Sequence, residues 1–329
     1  MIGAHQRLLG GSVLFFALLV WGCQPSVETD VDHTPDGTVQ LGAVEAVDTL
    51  ARAVALSGRP LTVNGFRGAV AIRGNSRSTA ELAFVRRGRG ADADAARAAL
   101  DDIGVSESGS QDTYSYTLES GRQSAAFAAV DVSGTVPEET TLRVEKTSGP
   151  VTLSGIAGPL TVQQDHGPVT VYGAAASVDV SVQNGDITAG FRALPSSAEV
   201  SLETANGDVT VRLPPGAGAT LDAQTNVGGI RTEGLPLTDE RFNPVDAGGR
   251  YRASVGGGGA TVDVRTNNGT IQFLVADTSE TVVPSPDTLA VPPSDTTVAP
   301  QAPPDTADTP AADTMGVDTT AFDTTQGGP

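Results

Sequence analysis

One spacing recurs along this chain and limits what it can fold into. Around Gly207, apolar residues stand at −7 and −5 (Val200, Leu202) and at +2 and +4 (Val209, Val211). The same offsets hold at Gly149 (Leu142, Val144, Val151, Leu153) and at Gly167 (Leu160, Val162, Val169, Val171). They hold again at Gly185 (Val178, Val180, Ile187, Ala189) and at Gly269 (Val262, Val264, Ile271, Phe273). Gly228 follows with Leu221, Ala223 and Ile230, and there Thr232 is the one exception. An outlying copy surrounds Gly68, with Leu61, Val63, Val70 and Ile72. The first five glycines of the continuous block are 18, 18, 22 and 21 residues apart, and the last follows after 41, about two periods with room for a longer loop.

Alternating apolar residues on each side of the glycine are the period-two signature of half-buried strands, so each copy is a strand, a turn and a strand. The offset from −5 to +2 is seven, an odd number, which would place the two strands on opposite faces unless the corner resets the phase. Glycine reaches positive φ without a steric penalty, and the Asn at 184, 206 and 268 tolerates the left-handed region, so the corner reads as a tight left-handed turn. One copy cannot bury its apolar side alone, whereas stacked copies can. Seven coils at about 4.8 Å each predict a stack roughly 30 Å long. The competing arrangement is a β-sandwich of hairpins, in which the two strands of one copy pair with each other; the near-constant period favours the solenoid.

The block reading "VSLETANGDVTVRLPPGAGATLDAQTNVGGIRTEG", followed by "GGGGATVDVRTNNGTIQFL", resembles the bacterial putative-adhesin domain family, and "LTVNGFRGAVAIRG" resembles that family's opening strands. The resemblance spans about residues 41–275. It implies an all-β, β-solenoid-like repeat domain at the cell envelope and assigns no chemistry to any residue. An insertion, residues 73–141, separates the first copy from the second. Within it "ADADAARAALDDIG" (91–104) predicts a short helix, with early aspartates at its start and Gly104 at its end. The helix is expected to cover a sheet edge at one end of the stack. "ELAFV" (81–85), "TYSYTLES" (113–120) and "SAAFAAVDV" (124–132) predict strands.

The ends of the chain differ from its middle. Residues 1–22 carry Arg7 and an apolar run from Leu8 to Trp21, too short for a comfortable membrane span, and are followed by Cys23. This resembles a bacterial lipoprotein signal, which implies cleavage before Cys23 and acylation of that cysteine as a membrane anchor. Cys23 is the only cysteine, which excludes an intrachain disulfide or a cysteine zinc site. Residues 23–40 are acidic and aperiodic and predict a flexible tether. Residues 276–329 contain nine acids, no bases, nine prolines and twelve threonines, too little apolar surface to fold, so a disordered acidic tail is expected.

Charge bounds the partners. With 39 acids against 20 bases the net charge is −19, which repels nucleic acid. Nineteen of the bases are arginines, and Lys146 is the sole lysine. His166 stands where sister copies have Asn and reads as a turn residue. Asp186 and Asp208 follow their corner glycines, and paired carboxylates of this kind serve glycoside cleavage or Ca²⁺ binding; Asn-Gly-Asp is also ordinary turn composition. "RRGRG" (86–90) reads as a solvated turn or a contact for lipid phosphates, and "VGGGGA" (255–260) and "GAGA" (216–219) read as tight loops without phosphate-loop chemistry. No serine-hydrolase elbow is present, and nothing in the sequence calls for a cofactor or metal. The expectation is a non-enzymatic envelope lipoprotein that binds a glycan, polymer or envelope protein through rows of outward residues: Arg143, Thr161, Asp179, Ser201, Asp222 and Asp263. A polysaccharide-active β-helix enzyme and an envelope-stress sensor are the alternatives.

Overall fold

The computed structural model describes residues 26–29, 44–121, 128–245 and 247–276. The leader, Cys23 and the acidic tail lie outside these residues, as does most of the expected tether. The strands of the N-terminal part are Ser26–Thr29 (β1), Val44–Ala55 (β2), Leu61–Arg67 (β3), Val70–Asn75 (β4) and Thr79–Gly90 (β5). Helix α1 (Ala93–Asp101) follows, then Ile103–Gly109 (β6), Tyr114–Ser120 (β7) and Ala128–Pro137 (β8). Beyond it the strands come two to a coil: Leu142–Ser148 and Val151–Ser154 (β9, β10), Leu160–His166 and Val169–Ala174 (β11, β12), Val178–Asn184 and Ile187–Phe191 (β13, β14). Glu199–Asn206 and Val209–Leu213 (β15, β16) and Ala219–Val227 and Ile230–Glu233 (β17, β18) continue the series. A hairpin, Leu237–Val245 and Gly248–Val255 (β19, β20), precedes the last coil, Ala260–Asn268 and Ile271–Val275 (β21, β22).

The two strands of one copy do not pair with each other. Each pairs in parallel with its counterpart in the next coil, which makes two facing eleven-stranded sheets and rules out the sandwich of hairpins. One apolar row runs Val70, Val151, Val169, Ile187, Val209, Ile271, Ile230, each residue in register with the next. The facing row runs Val63, Val144, Val162, Val180, Leu202, Val264, Ala223. Apart from the half-buried Ile230 all of these are buried, each valine contributing about 1.5–3 kcal/mol over exposure.

The stacking order departs from chain order at one place. β21 lies between β15 and β17, and β22 between β16 and β18. The Gly269 coil is therefore inserted beneath the Gly228 coil, which becomes terminal. The 41-residue gap read as two periods is the hairpin β19–β20, which extends the second sheet outward from β17, β20 running antiparallel to it.

The opposite end is closed by the insertion. β4 continues the first sheet into β8, then antiparallel into β5 and β2, while β3 continues the second into β7 and β6. Ser26–Thr29, within the segment expected as a tether, pairs antiparallel with β2. The helix begins one residue after its N-cap, Asp92, whose carboxylate accepts the Ala95 amide. It ends at Asp101 rather than at Gly104, because Ile103 is buried and β6 pairs with β7 from there. Nor does it cover a sheet edge. It lies on the inner side of β5, where Ala96 and Leu100 are buried against Gly88 and Gly90; a Cβ at Gly88 would sit 2.3 Å from the Leu100 nitrogen.

Candidate functional site

At the corner, glycine is demanded by proximity more than by dihedral angle. A Cβ on Gly149, Gly185, Gly207, Gly228 or Gly269 would lie 1.9–2.1 Å from the carbonyl oxygen of the corner glycine one coil away; Gly167 (2.7 Å from Gly149) and Gly68 (2.2 Å from the Val130 oxygen) are nearly as tight. Six of the seven corner glycines have the expected positive φ, 109° at Gly149 and 119° at Gly167 among them, but Gly185 does not, and it has no more room. The expected left-handed Asn, by contrast, does not occur: the only non-glycine residues with positive φ among those described are Ser57 and Asp239. What the asparagines do is bond one another. The Asn268 Nδ2 donates to Asn206 Oδ1 (2.8 Å) and the Asn206 Nδ2 to Asn184 Oδ1 (2.8 Å), and Asn184 meets His166 Nδ1 at 3.2 Å. His166 thus ends an exposed side-chain ladder, and it is not a positive-φ turn residue.

A second ladder runs inside. The residues three before the corner are Lys146, Gln164, Val182, Thr204, Thr266 and Thr225 in stacking order, all buried. The column continues the strand's alternation, with −7, −5 and −3 facing inward, and the corner after it resets the phase, so that +2 and +4 face inward too. Three threonine hydroxyls donate to the corner carbonyls one coil away: Thr204 to Gly185 (3.0 Å), Thr266 to Gly207 (3.0 Å) and Thr225 to Gly269 (2.9 Å). Gln164 Nε2 donates to Gly167 O, and the Lys146 ammonium to Gly68 O. Burial pulls the Lys146 amine down to about 8, with Asp131 opposing. Each of these bonds satisfies a part-buried carbonyl, a contribution of about 0.5–1.5 kcal/mol apiece.

Asp186 and Asp208 do stand in neighbouring coils, and each serves the backbone. Asp186 Oδ1 accepts the Asp208 amide (2.8 Å) and Asp208 Oδ1 accepts the Thr270 amide (2.6 Å). Among the described residues, no three His, Cys, Asp or Glu side chains stand together as a metal site. "RRGRG" is not a turn. It lies in β5, and its cations face acids: Arg86 pairs with Asp48, Arg87 with Asp131 (2.9 Å) and Glu45 (3.6 Å), and Arg89 with Glu45 (3.4 Å). The glycines of "VGGGGA" form the turn between β20 and β21.

The outward row falls in register as Arg143, Thr161, Asp179, Ser201, Asp263, Asp222, with Asp263 before Asp222 because of the inserted coil. At the terminal coil Asp222 is gripped by Arg250 (2.7 and 2.9 Å) and Arg252 (2.9 Å), and the Arg250 hydrogen bond in particular holds its carboxyl below the usual range. Asp179 and Ser201, at the middle, are exposed. The opposite sheet carries Thr152, Thr170, Thr188 and Thr210 in register on its outer side. That row went unread in the sequence, although it stands at a fixed +3 from each corner.

These features define a two-sheet parallel β-solenoid with a glycine corner and polar ladders along one edge. Residues 98–273, just over half of the chain, match the Toastrack DUF4097 family, and the chain belongs to it. No curated protein matches the chain. Among solved structures it is similar to a putative cell adhesion protein from Clostridium sporogenes, at 16% identity and a TM-score of 0.41, over 70% of this chain and 100% of that one. A putative adhesin from Bacteroides fragilis is similar at 13% identity and a TM-score of 0.40, over 69% of this chain and 97% of that one.

Proposed function

We propose that the protein is a non-enzymatic cell-envelope lipoprotein whose stacked coils form a binding scaffold for a glycan, polymer or envelope protein. The observation that supports this best is the in-register outward row from Arg143 to Asp222, one side chain per coil at about 4.8 Å. A repeated array engages a repetitive ligand through many weak contacts, which add by avidity where single contacts would not hold. The carboxylates that would serve the enzyme alternative are each occupied by a backbone amide, which favours the scaffold over it. Anchoring through Cys23 rests on the sequence alone.

The immobilised mature chain, presented with a panel of glycans and envelope fractions, should show saturable binding that Asp179→Arg with Ser201→Arg weakens; no saturable partner would overturn the scaffold reading. Cys23→Ser should move the protein to the soluble fraction, and a mutant that stays with the membrane would overturn the anchor.

A further inference from the structure

The first strand leaves little chain between the fold and Cys23. β1 pairs antiparallel with β2, Ser26 against Val47. Ser26 is three residues beyond Cys23, a reach of at most about 10 Å. The headgroup layer of one leaflet is itself about 5–7 Å deep. A chain acylated at Cys23 therefore holds β2 at the membrane surface, and not at the far end of a flexible tether.

β2 is built to lie there. β1 covers it only from Val44 to Val47, so among the described residues its edge from Asp48 to Ala55 carries no neighbouring strand. The side of β2 turned away from the core exposes Thr49, Ala51, Ala53 and Ala55 in alternation. β5 continues this surface with Ala83 and Val85, half-buried opposite Ala51 and Thr49, while its Leu82 and Phe84 are buried in the core. An antiparallel strand with one face in water alternates apolar-in with polar-out. Here the outward side is apolar as well.

The arginines gather at the same place. Residues 44–90 carry eight arginines against three acids, in a chain whose net charge is −19. Arg89, on the outward side of β5 opposite Glu45, is 56% exposed and lies 3.4 Å from that carboxylate. Arg77, in the turn between β4 and β5, is 68% exposed beside Glu81 at 3.2 Å. Ion pairs this exposed contribute little, so both guanidinium groups can exchange a carboxylate for a lipid phosphate. The outer side of the second sheet carries Asp179, Asp263 and Asp222 in its row, which an anionic leaflet repels.

We propose that the outward side of β2 and β5 is a docking surface for the phospholipid headgroups of the membrane that holds Cys23. The alanines and Val85 lie against the bilayer surface, and Arg77 and Arg89 take its phosphates. The second sheet, on the other side of the core, then turns its in-register row away from the membrane. This docking rests on the Cys23 anchor and adds to it the side on which the domain lies.

A nitroxide on the full acylated chain tests it, in vesicles of phosphatidylcholine with and without phosphatidylglycerol. Cys23 carries the lipid, so Ala53→Cys and Ser201→Cys each supply a single free thiol, and both positions are exposed. The label at 53 should be relaxed by a nickel chelate attached to lipid headgroups and shielded from a water-soluble relaxing agent, and the label at 201 should show the reverse. With phosphatidylglycerol present, Arg89→Glu should lower the ratio of docked to undocked chain about tenfold. Arg143→Glu, on the opposite sheet, should leave that ratio unchanged. Equal exposure of the two labels on a membrane-bound chain would overturn the proposal and leave the anchor standing, as would equal effects of the two charge reversals. A chain recovered in the soluble fraction would overturn the anchor, and the proposal with it.

Discussion

The coils from β9 to β16 and the terminal caps are built on opposite principles. In the coils one rule repeats: inward aliphatics, a corner glycine against the carbonyl of the next, and a polar ladder beside it. Such a stack is self-templating, because the top of any coil is a fit for the bottom of another. The caps must break the rule so that stacking stops. At one end antiparallel strands, a helix and paired arginines do this; at the other, a hairpin. Regularity therefore concentrates stability at the corners, and irregularity concentrates distinct surfaces at the ends.

Corner and cap substitutions should separate that difference by size. Gly207→Ala forces a Cβ to within 2.1 Å of the Gly185 oxygen, and should cost about 3–5 kcal/mol in urea unfolding. Next comes Lys146. Its amine loses its proton near 8 in the fold, against 10.5 for an ordinary lysine. Between those values the unfolded chain keeps a proton that the folded chain has released, so stability rises with pH across this window, by about 3 kcal/mol in all. The penalty is fully present below pH 8, and Lys146→Met should abolish the slope. Thr204→Val keeps the shape but takes the donor from the part-buried Gly185 carbonyl, at about 1–1.5 kcal/mol. In the cap, Asp92→Ala removes the helix N-cap and should cost about 1 kcal/mol. Gly104→Ala, with nothing within 4 Å of the added Cβ, should fall within about 0.5 kcal/mol of the parent. If Gly104→Ala and Gly207→Ala cost the same, the distinction between corner and cap is lost.

The coils were legible because their signal is local and repeated. Val169, Ile187 and Val209 sit at one offset and land in one row. The reason for the corner glycine was not legible, since it lies in a carbonyl from another coil, and neither was the Asn ladder, whose partners are 18, 22 and 62 residues apart in sequence. Lys146 stood out in the sequence only as the sole lysine. Its column holds donors of several kinds, and only the register shows that Thr and Lys do the same task. The strand Val44–Ala55 was missed because its alternation carries alanines and charges in place of large aliphatics. The coil order escaped the sequence because spacing along a chain does not say on which side of its neighbour a coil is laid down.

That order offers the most direct test of the stacked, in-register architecture. On a Cys23→Ser background, Asn206→Cys with Asn268→Cys places two thiols in paired positions of adjacent strands, about 4.8 Å apart and within disulfide reach. Asn206→Cys with Val227→Cys places them two strands apart, since Asn268 lies between them. Mild oxidation should form an intramolecular bridge in the first variant and none in the second. A bridge in the second and not in the first would mean that the coils pile up in chain order, contradicting the account.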